Sequence, residues 1–365
     1  MDNTESTVSL SRGCFSDRER PFARQGELSA SLFRYDTGVE AVRVANSRGA
    51  IVVLPFQGQQ VWDARFDDRT LTMKSFYVQP NATREFIATY GAFILHCGVS
   101  AMGNPGPGDT HPLHGELPNA PYQDAFLALG TDEEGPYLSV GGEYRHAIAF
   151  GCHYAARPRV TLRPGRAVLS VHMEICNLRT VPMDLMYLAH INFRPVDAAR
   201  LVYSAPCTPG SVAVRTVVPP DLHPAPGYPE FLRSLAADPS VHNVLRPGMA
   251  YDPEAVLYLR YKAGADGWAR SMMLHPDGFA SYVGHRPAQL PHGVRWISRM
   301  PDQDAIGIVL PATAEPDGYR AEKAKGNVLS LAGGASVMYE MEAGLLTPAE
   351  SAAMETEIQA ILSEG

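Results

Sequence analysis

Charge is scarce in this chain, and what there is leans negative. Asp, Glu, Lys and Arg make up 19% of the 365 residues, and the formal net charge is -8 at neutral pH. Phosphate binding draws on clustered Lys and Arg, so a nucleic-acid partner is disfavoured. The densest basic group, Arg157, Arg159, Arg163 and Arg166, falls on a strand-and-turn pattern and reads as a solvated face. Long apolar runs are missing too. None approaches the roughly 20 residues that a membrane span requires, and Met1 to Arg12 is polar rather than signal-like. No membrane partner is expected, and a cytoplasmic location is. Cysteine is sparse and unpatterned: Cys14, Cys97, Cys152, Cys176 and Cys207 are odd in number and not closely paired, which signals neither a disulfide framework nor a zinc site. Cys97 lies beside His96, where a thiol nucleophile is conceivable, but free cysteine is more often buried.

Glycine, proline and short apolar alternations are plentiful instead. Residues 40–46 alternate polar and apolar, Ala50 to Pro55 is an apolar run, and Gln59 to Phe66 alternates again. Further strands are expected at Glu85 to Tyr90, Tyr137 to Val140, Ala147 to Tyr154, Arg159 to Leu162 and Ala167 to Cys176. They continue at Ala255 to Tyr261, Ser271 to Leu274, Ala305 to Leu310 and Val337 to Glu342. Residues 203–250 carry Pro219, Pro220, Pro224, Pro226 and Pro229 with a short helical stretch near Glu230 to Ala237, and read as a long excursion. Thr347-Pro348-Ala349-Glu350 is a capping box with proline at the first helical position, and Met354, Ile358, Ile361 and Leu362 line one face of the helix that follows. Many short strands and few helices mean packed antiparallel sheets or a barrel, an all-β fold. The expected organisation is an N-terminal extension over 1–30, a β-sandwich domain over 31–346 and a C-terminal helix over 347–365.

The densest chemistry lies in His111-Pro112-Leu113-His114-Gly115-Glu116-Leu117-Pro118-Asn119, where two imidazoles, a carboxylate and a carboxamide share a loop that glycine and proline keep from being helical. Such a set can donate, accept or carry protons on a polyhydroxylated substrate. His190, in Tyr187-Leu188-Ala189-His190-Ile191-Asn192-Phe193, sits in an apolar strand, where a histidine is more often a hydrogen-bonded core residue. Trp296, with Arg295 beside it in what reads as a Pro-Gly loop, is a candidate sugar platform, because pyranose C–H faces pack on flat rings. Trp62 reads as core, and Asp277 in His275-Pro276-Asp277-Gly278 as a turn residue with a lesser claim to substrate binding.

An ordered series of elements extends from about Leu54 to Gly344. It comprises Gly58-Gln59-Gln60-Val61-Trp62 with Arg69-Thr70-Leu71, His96-Cys97-Gly98-Val99 through Gly103-Asn104-Pro105, and Leu113-His114-Gly115 with Asn119 and Pro121. Glu174-Ile175-Cys176-Asn177 leads on to His190-Ile191-Asn192-Phe193, followed by Leu290-Pro291 with Trp296, Ala305 to Thr313, Gly318-Tyr319 and Gly326. In order and spacing the chain resembles the galactose mutarotase-like superfamily, the aldose 1-epimerases. The resemblance implies a β-supersandwich of large antiparallel sheets with a sugar in an open cleft. It also implies interconversion of anomers by a base at the C1 hydroxyl and an acid at the ring oxygen, without cofactor. His190 matches the acid, and His114 the histidine that holds the ring-oxygen side. The implied base is a Glu before the proline of the C-terminal strand, where this chain has Leu310. Glu116, Glu315 or Glu322 could stand in for it.

The expectation is therefore a carbohydrate epimerase with His190, His114 and Glu116 as catalytic residues and His111, Asn119, Asp277, Arg295 and Trp296 around the substrate, with a homodimer possible. Two alternatives stay open. One is a metal-dependent sugar isomerase using His111, His114 and Glu116 on Zn²⁺ or Mn²⁺ with a fourth ligand such as His190, on a weak spacing signal. The other is a non-catalytic carbohydrate-binding protein.

Overall fold

The computed structural model describes residues 4–217, 224–249 and 251–363. Pro219 and Pro220 lie outside the described residues. Strands alternate buried and half-exposed where water reaches one face, as in Val168–Asn177, and are buried at nearly every position where both faces are covered, as in Ile94–Val99, Met183–Ile191 and His292–Arg299. These strands build an all-β sandwich of two large antiparallel sheets. The nine-stranded sheet runs Thr4–Leu10, Asp124–Asp132, Gly135–Ala147, His153–Leu162, Val168–Asn177, Ser336–Leu346, Ala280–His285, Ala269–Leu274, Arg200–Tyr203. The main path of the second, thirteen-stranded sheet runs Val212–Val214, Ala255–Leu259, His292–Arg299, Asp304–Ala312, Met183–Ile191, Ile94–Val99, Val61–Phe66, Gly49–Val53, Glu40–Asn46, Leu28–Arg34, Arg20–Gln25. Residues 4–10 and 20–25 thus contribute one strand to each sheet.

One continuous hydrophobic core fills the space between the sheets. Tyr187 of one sheet stacks on Tyr339 of the other at 4.9 Å between ring centroids, which marks the interior face of the strand Met183–Ile191. Side chains alternate across a strand, so Leu188 and His190 face the opposite way, away from the nine-stranded sheet. Loop residues from 76–90, 104–114 and 316 lie over that outer face, where strands are buried on both sides.

The arginines of 157–166 carry ion pairs to Glu5, Asp132, Glu134, Glu143 and Glu174, as a solvated face does. Cys97 is buried in the core, and burial pushes its thiol far up, which leaves no thiolate. The C-terminal helix Pro348–Ser363 forms behind its capping box. The Thr347 N–H donates to Glu350 at 2.7 Å and the Glu350 N–H reaches back to the Thr347 hydroxyl at 3.4 Å. The excursion holds the strand Val212–Val214 and the helix Tyr228–Ala237.

Three expectations are corrected. Glu85 to Tyr90 is not a strand but a loop with one 3₁₀ turn, Ile87–Thr89, because its apolar residues face a cavity rather than a sheet partner. Ala147 to Tyr154 spans a hairpin tip whose Ile148 and Phe150 are exposed. Residues 291–295 are not a loop, since the strand begins at His292.

Candidate active site

A cavity of about 680 Å³ opens on the outer face of the thirteen-stranded sheet, at the strands carrying His190, Trp296 and Leu310. His114 reaches it from the loop read as site-bearing. Glycine makes that approach possible. At Gly115 (φ +81°) a Cβ would meet the Ala101 carbonyl oxygen at 2.3 Å, and at Gly98 (φ +123°) the Met186 carbonyl oxygen at 2.2 Å. The loop is clamped to the strand Ile94–Val99 by the Gly98 N–H donating to the His114 carbonyl at 3.0 Å and the Glu116 N–H to the Gly98 carbonyl at 2.9 Å. His114 itself sits at φ +60°, a conformation that costs a non-glycine residue about 1 kcal/mol and that these bonds hold in place.

The His114 and His190 rings meet edge to face with centroids 5.3 Å apart, and Trp296 lies 5.4 Å from His190 in the same manner. The Asn192 amide donates to the Ala92 carbonyl at 3.0 Å, which fixes its oxygen 2.7 Å from His190 Nδ1. His190 Nδ1 therefore carries the hydrogen, and Nε2 keeps its lone pair. Tyr90 adds its hydroxyl, 3.2 Å from the Asn192 oxygen and 3.4 Å from His190 Nε2. Burial pushes the Tyr90 phenol well up, so it stays protonated. Burial lowers His190 to about 4, opposed by the Asn192 bond. His114 is pushed well below the usual histidine range by burial first and then by His190, Arg215 and His111. Both imidazoles are neutral at pH 7, and His114 Nδ1 is buried without a partner.

The cavity also holds a carboxylate, but not one that the sequence pointed to. Glu254 Oε2 accepts from the Trp296 indole at 2.6 Å, and its other oxygen is ion-paired with Arg215. Glu254 ends the turn Asp252-Pro253-Glu254 before the strand Ala255–Leu259, and Arg215 follows Val212–Val214. Neither lies in a motif. The signal that could have found Glu254 is a carboxylate at a strand mouth on the sheet that carries Trp296. Leu310 lines the cavity beside Val294, its cross-strand partner, so the position that the resemblance gives to a base does face the site but is apolar.

The remaining expected residues go elsewhere. Glu116 accepts from the Ser100 N–H at 2.9 Å, the Ser100 hydroxyl at 3.0 Å and the Tyr154 hydroxyl at 2.7 Å, which fills three of its four lone-pair sites outside the cavity lining. His111 points Nδ1 at the Pro112 carbonyl, 2.9 Å away, and Nε2 toward Asp109 at 3.7 Å. Asn119 is a buried clip, taking a bond from Gln60 at 2.7 Å and giving one to the Glu85 carbonyl at 3.1 Å. Asp277 pairs with Arg69 in the turn between Ala269–Leu274 and Ala280–His285. Arg295 is fully buried and points between the sheets. Of the expected site residues, His114, His190 and Trp296 come together.

The proposed metal ligands do not assemble. Among the described residues, the group whose ligand atoms lie within 4.8 Å of one another is Glu315, Asp317 and Glu322, and Lys325 bonds to all three carboxylates. Glu315 is held down to about 2 by its bonds to His292 and Lys325, and Glu322 accepts from the Glu315 N–H at 2.8 Å. Neither lines the cavity among the described residues, so neither replaces the base.

The family described as Domain of unknown function (DUF4432) matches residues 36–345. The chain belongs to this family. No curated protein matches the sequence. Among solved structures, a "putative aldose 1-epimerase" from Klebsiella pneumoniae superposes with a TM-score of 0.80 at 15% identity, over 98% of this chain and 96% of that one. A galactose mutarotase-like protein from Clostridium acetobutylicum gives 0.58 at 11% identity over 88% and 100%. The galactose 1-epimerase of Lactobacillus acidophilus gives 0.52 at 11% over 94% and 98%. This chain therefore has the galactose mutarotase-like fold.

Proposed function

We propose that this protein is a carbohydrate epimerase of the aldose 1-epimerase type that works by proton transfer from its own side chains. The observation that carries the reading is the convergence of His114, His190 and Trp296 in one cavity, with the His190 Nε2 lone pair met only by the Tyr90 hydroxyl, 3.4 Å away, whose hydrogen goes to Asn192. The hydroxyl oxygen and the ring oxygen of a cyclic sugar are both bonded to C1, so one imidazole nitrogen reaches both. Neutral His190 takes the C1 hydroxyl proton as the bond from C1 to the ring oxygen breaks, and the resulting imidazolium returns that proton to the ring oxygen. The open-chain aldehyde turns about C1–C2 and closes by the reverse steps on its other face. A histidine lowered to about 4 is neutral at pH 7, a weak base whose conjugate acid gives the proton up readily.

Trp296 offers a stacking face, while Glu254 and Arg215 are positioned to pair with hydroxyls. His114 lines the same cavity and packs edge to face on His190, while its Nδ1 is buried away from the cavity space. Leu310 favours a second reading, a sugar-binding protein without turnover, because the position implied for a base cannot take a proton.

Exchange-resolved NMR of anomer interconversion across a panel of free sugars tests both readings. The expected result is catalysed exchange that His190→Asn lowers by about 10²- to 10⁴-fold with the unfolding transition unchanged. Binding without exchange in the wild type would establish the second reading instead, and unaltered exchange in the variant would return His190 to a packing role.

A further inference from the structure

The cavity has two chemically distinct parts. One connected series of polar groups lines it, among Leu188, Val256, Val294 and Leu310 of the sheet: His114 against His190, His190 against Trp296, Trp296 bonded to Glu254, Glu254 paired with Arg215. Residues 76–90 form a wall that joins this series at Phe86, 4.8 Å from the His114 ring, and presents Phe76, Tyr77 and Ile87 to the same space. Phe76 and Ile87 are 67% and 69% exposed, and Val78 beside them is 97% exposed.

This wall is built, not slack. The Tyr77 hydroxyl donates to the Ile87 carbonyl at 2.7 Å, the Asn81 amide to the Ala88 carbonyl at 2.8 Å, and the Asn119 amide to the Glu85 carbonyl at 3.1 Å. Large apolar side chains held open to water beside a cavity mark a surface that a ligand covers. The size agrees. A hexose is six carbon–oxygen units, each about as large as a water molecule's 30 Å³ share of the liquid, so it fills about 200 Å³. The cavity offers about 680 Å³. A free hexose beside His190 fills under a third of that space and leaves the exposed Phe76 and Ile87 uncovered.

We propose that the ligand of this cleft is an amphipathic sugar, one whose ring sits on this polar series and which carries an apolar substituent, remote from the anomeric carbon, against Phe76, Phe86 and Ile87. A remote substituent leaves the C1 hydroxyl free. The inference rests on the sugar-site reading for the polar end alone. The wall and the volume stand without it.

Calorimetry with D-glucose, D-galactose and their 6-O-methyl to 6-O-butyl ethers tests it on the full chain. Each seated methylene tightens binding by about fourfold, so Kd falls by about 60-fold from methyl to butyl. In Phe76→Ser and Ile87→Ser that dependence flattens. Equal or weaker binding along the series overturns the proposal, as does a series untouched by either substitution. So does sedimentation showing a wild-type dimer that Phe76→Ser dissociates while Kd stays independent of chain length, because a second copy would then cover the wall. Anomer exchange on the same samples separates the two claims. Chain-length-dependent binding without exchange supports the amphipathic ligand and sinks the epimerase reading, while exchange with a flat Kd series does the reverse.

Discussion

Arg295 and Trp296 are adjacent on one strand, face opposite sides of one sheet, and show what separates a polar group that holds the fold from one that meets a ligand. On the interior side the Arg295 guanidinium donates to the Ile308 carbonyl at 2.8 Å, to His242 Nε2 at 2.5 Å and to the Tyr261 hydroxyl at 3.1 Å, and lies 4.0 Å over the Tyr203 ring. His96, on the same side, bonds to the Tyr187 hydroxyl at 2.7 Å. On the cleft side, His190 Nε2 has only the Tyr90 hydroxyl near it, at 3.4 Å, and that hydroxyl's hydrogen goes to Asn192. Filled valences stabilise, and unfilled ones held in place are what a substrate can use. Not every interior group is filled: His285 is buried against Tyr261 with both ring nitrogens unpartnered, and the Tyr122, Tyr251 and Tyr339 hydroxyls also lack partners.

Acid should act on buried histidines of both sides, because His190 in the cleft is lowered to about 4 just as His96 is inside. Burial lowers His96 to about 4, and His242 and His285 to about 3, with Arg295 adding to the effect on His242. As pH falls below the ordinary histidine value of about 6.5, the unfolded chain takes up these protons and the folded one does not. Stability is therefore full above about pH 6.5 and is lost as pH drops toward the folded values. Each group costs about 2 kcal/mol at pH 5. Denaturant midpoints at pH 7.5 and pH 5 measure this, and equal midpoints would mean that water reaches these rings.

Next in size is the Arg295 side chain. Arg295→Ala removes the partner of three buried acceptors and leaves a void, for a loss of about 3–5 kcal/mol in urea unfolding. Arg295→Met keeps the stem and should cost about half as much. Sugar binding by either folded variant should stay at the wild-type level. Weakened binding with intact stability would put Arg295 on the cleft side after all.

Glu254→Gln makes the matching change in the cleft. The amide oxygen still accepts from Trp296, but the charge facing Arg215 is gone, so exchange should fall by about 10- to 100-fold, or about 1.4–2.7 kcal/mol of barrier. Its unfolding free energy should fall by about 1–3 kcal/mol, since the two side chains are only 13% and 18% exposed and the hydrogen bond to a charged partner is lost. A large loss of stability with unchanged exchange would make Glu254 a structural residue.

The alternation and turn chemistry made the sandwich legible, and the capping box placed the last helix. The site was harder to read for physical reasons. The loop 111–119 drew attention by density, yet a loop that must turn sharply uses most of its polar groups on itself: Glu116 on Ser100 and Tyr154, Asn119 on Gln60 and Glu85. His190 looked like a core histidine because its strand is buried on both faces, and covering loops hide a cleft strand as effectively as a second sheet does. Arg295 and Trp296 were grouped because they are adjacent. Reading residues 292–299 as a strand would have sent them to opposite faces.

The smallest effect is expected at Asp277, where the turn reading and the substrate reading diverge. Its carboxylate accepts from Arg69 at 2.6 Å and from the Phe279 N–H at 3.3 Å, and half of the side chain is open to water. Arg69 does not depend on that pair, because its guanidinium also lies 4.1 Å over the Phe279 ring. An asparagine keeps the oxygen that the turn needs and gives up only an exposed ion pair, worth at most about 1 kcal/mol. Asp277→Asn should therefore shift the urea midpoint by the equivalent of less than about 0.5 kcal/mol and leave sugar binding and anomer exchange as they are. A loss of binding in a variant this stable would place a second polar contact far from the His190 floor, and the cleft would have to be redrawn to reach it.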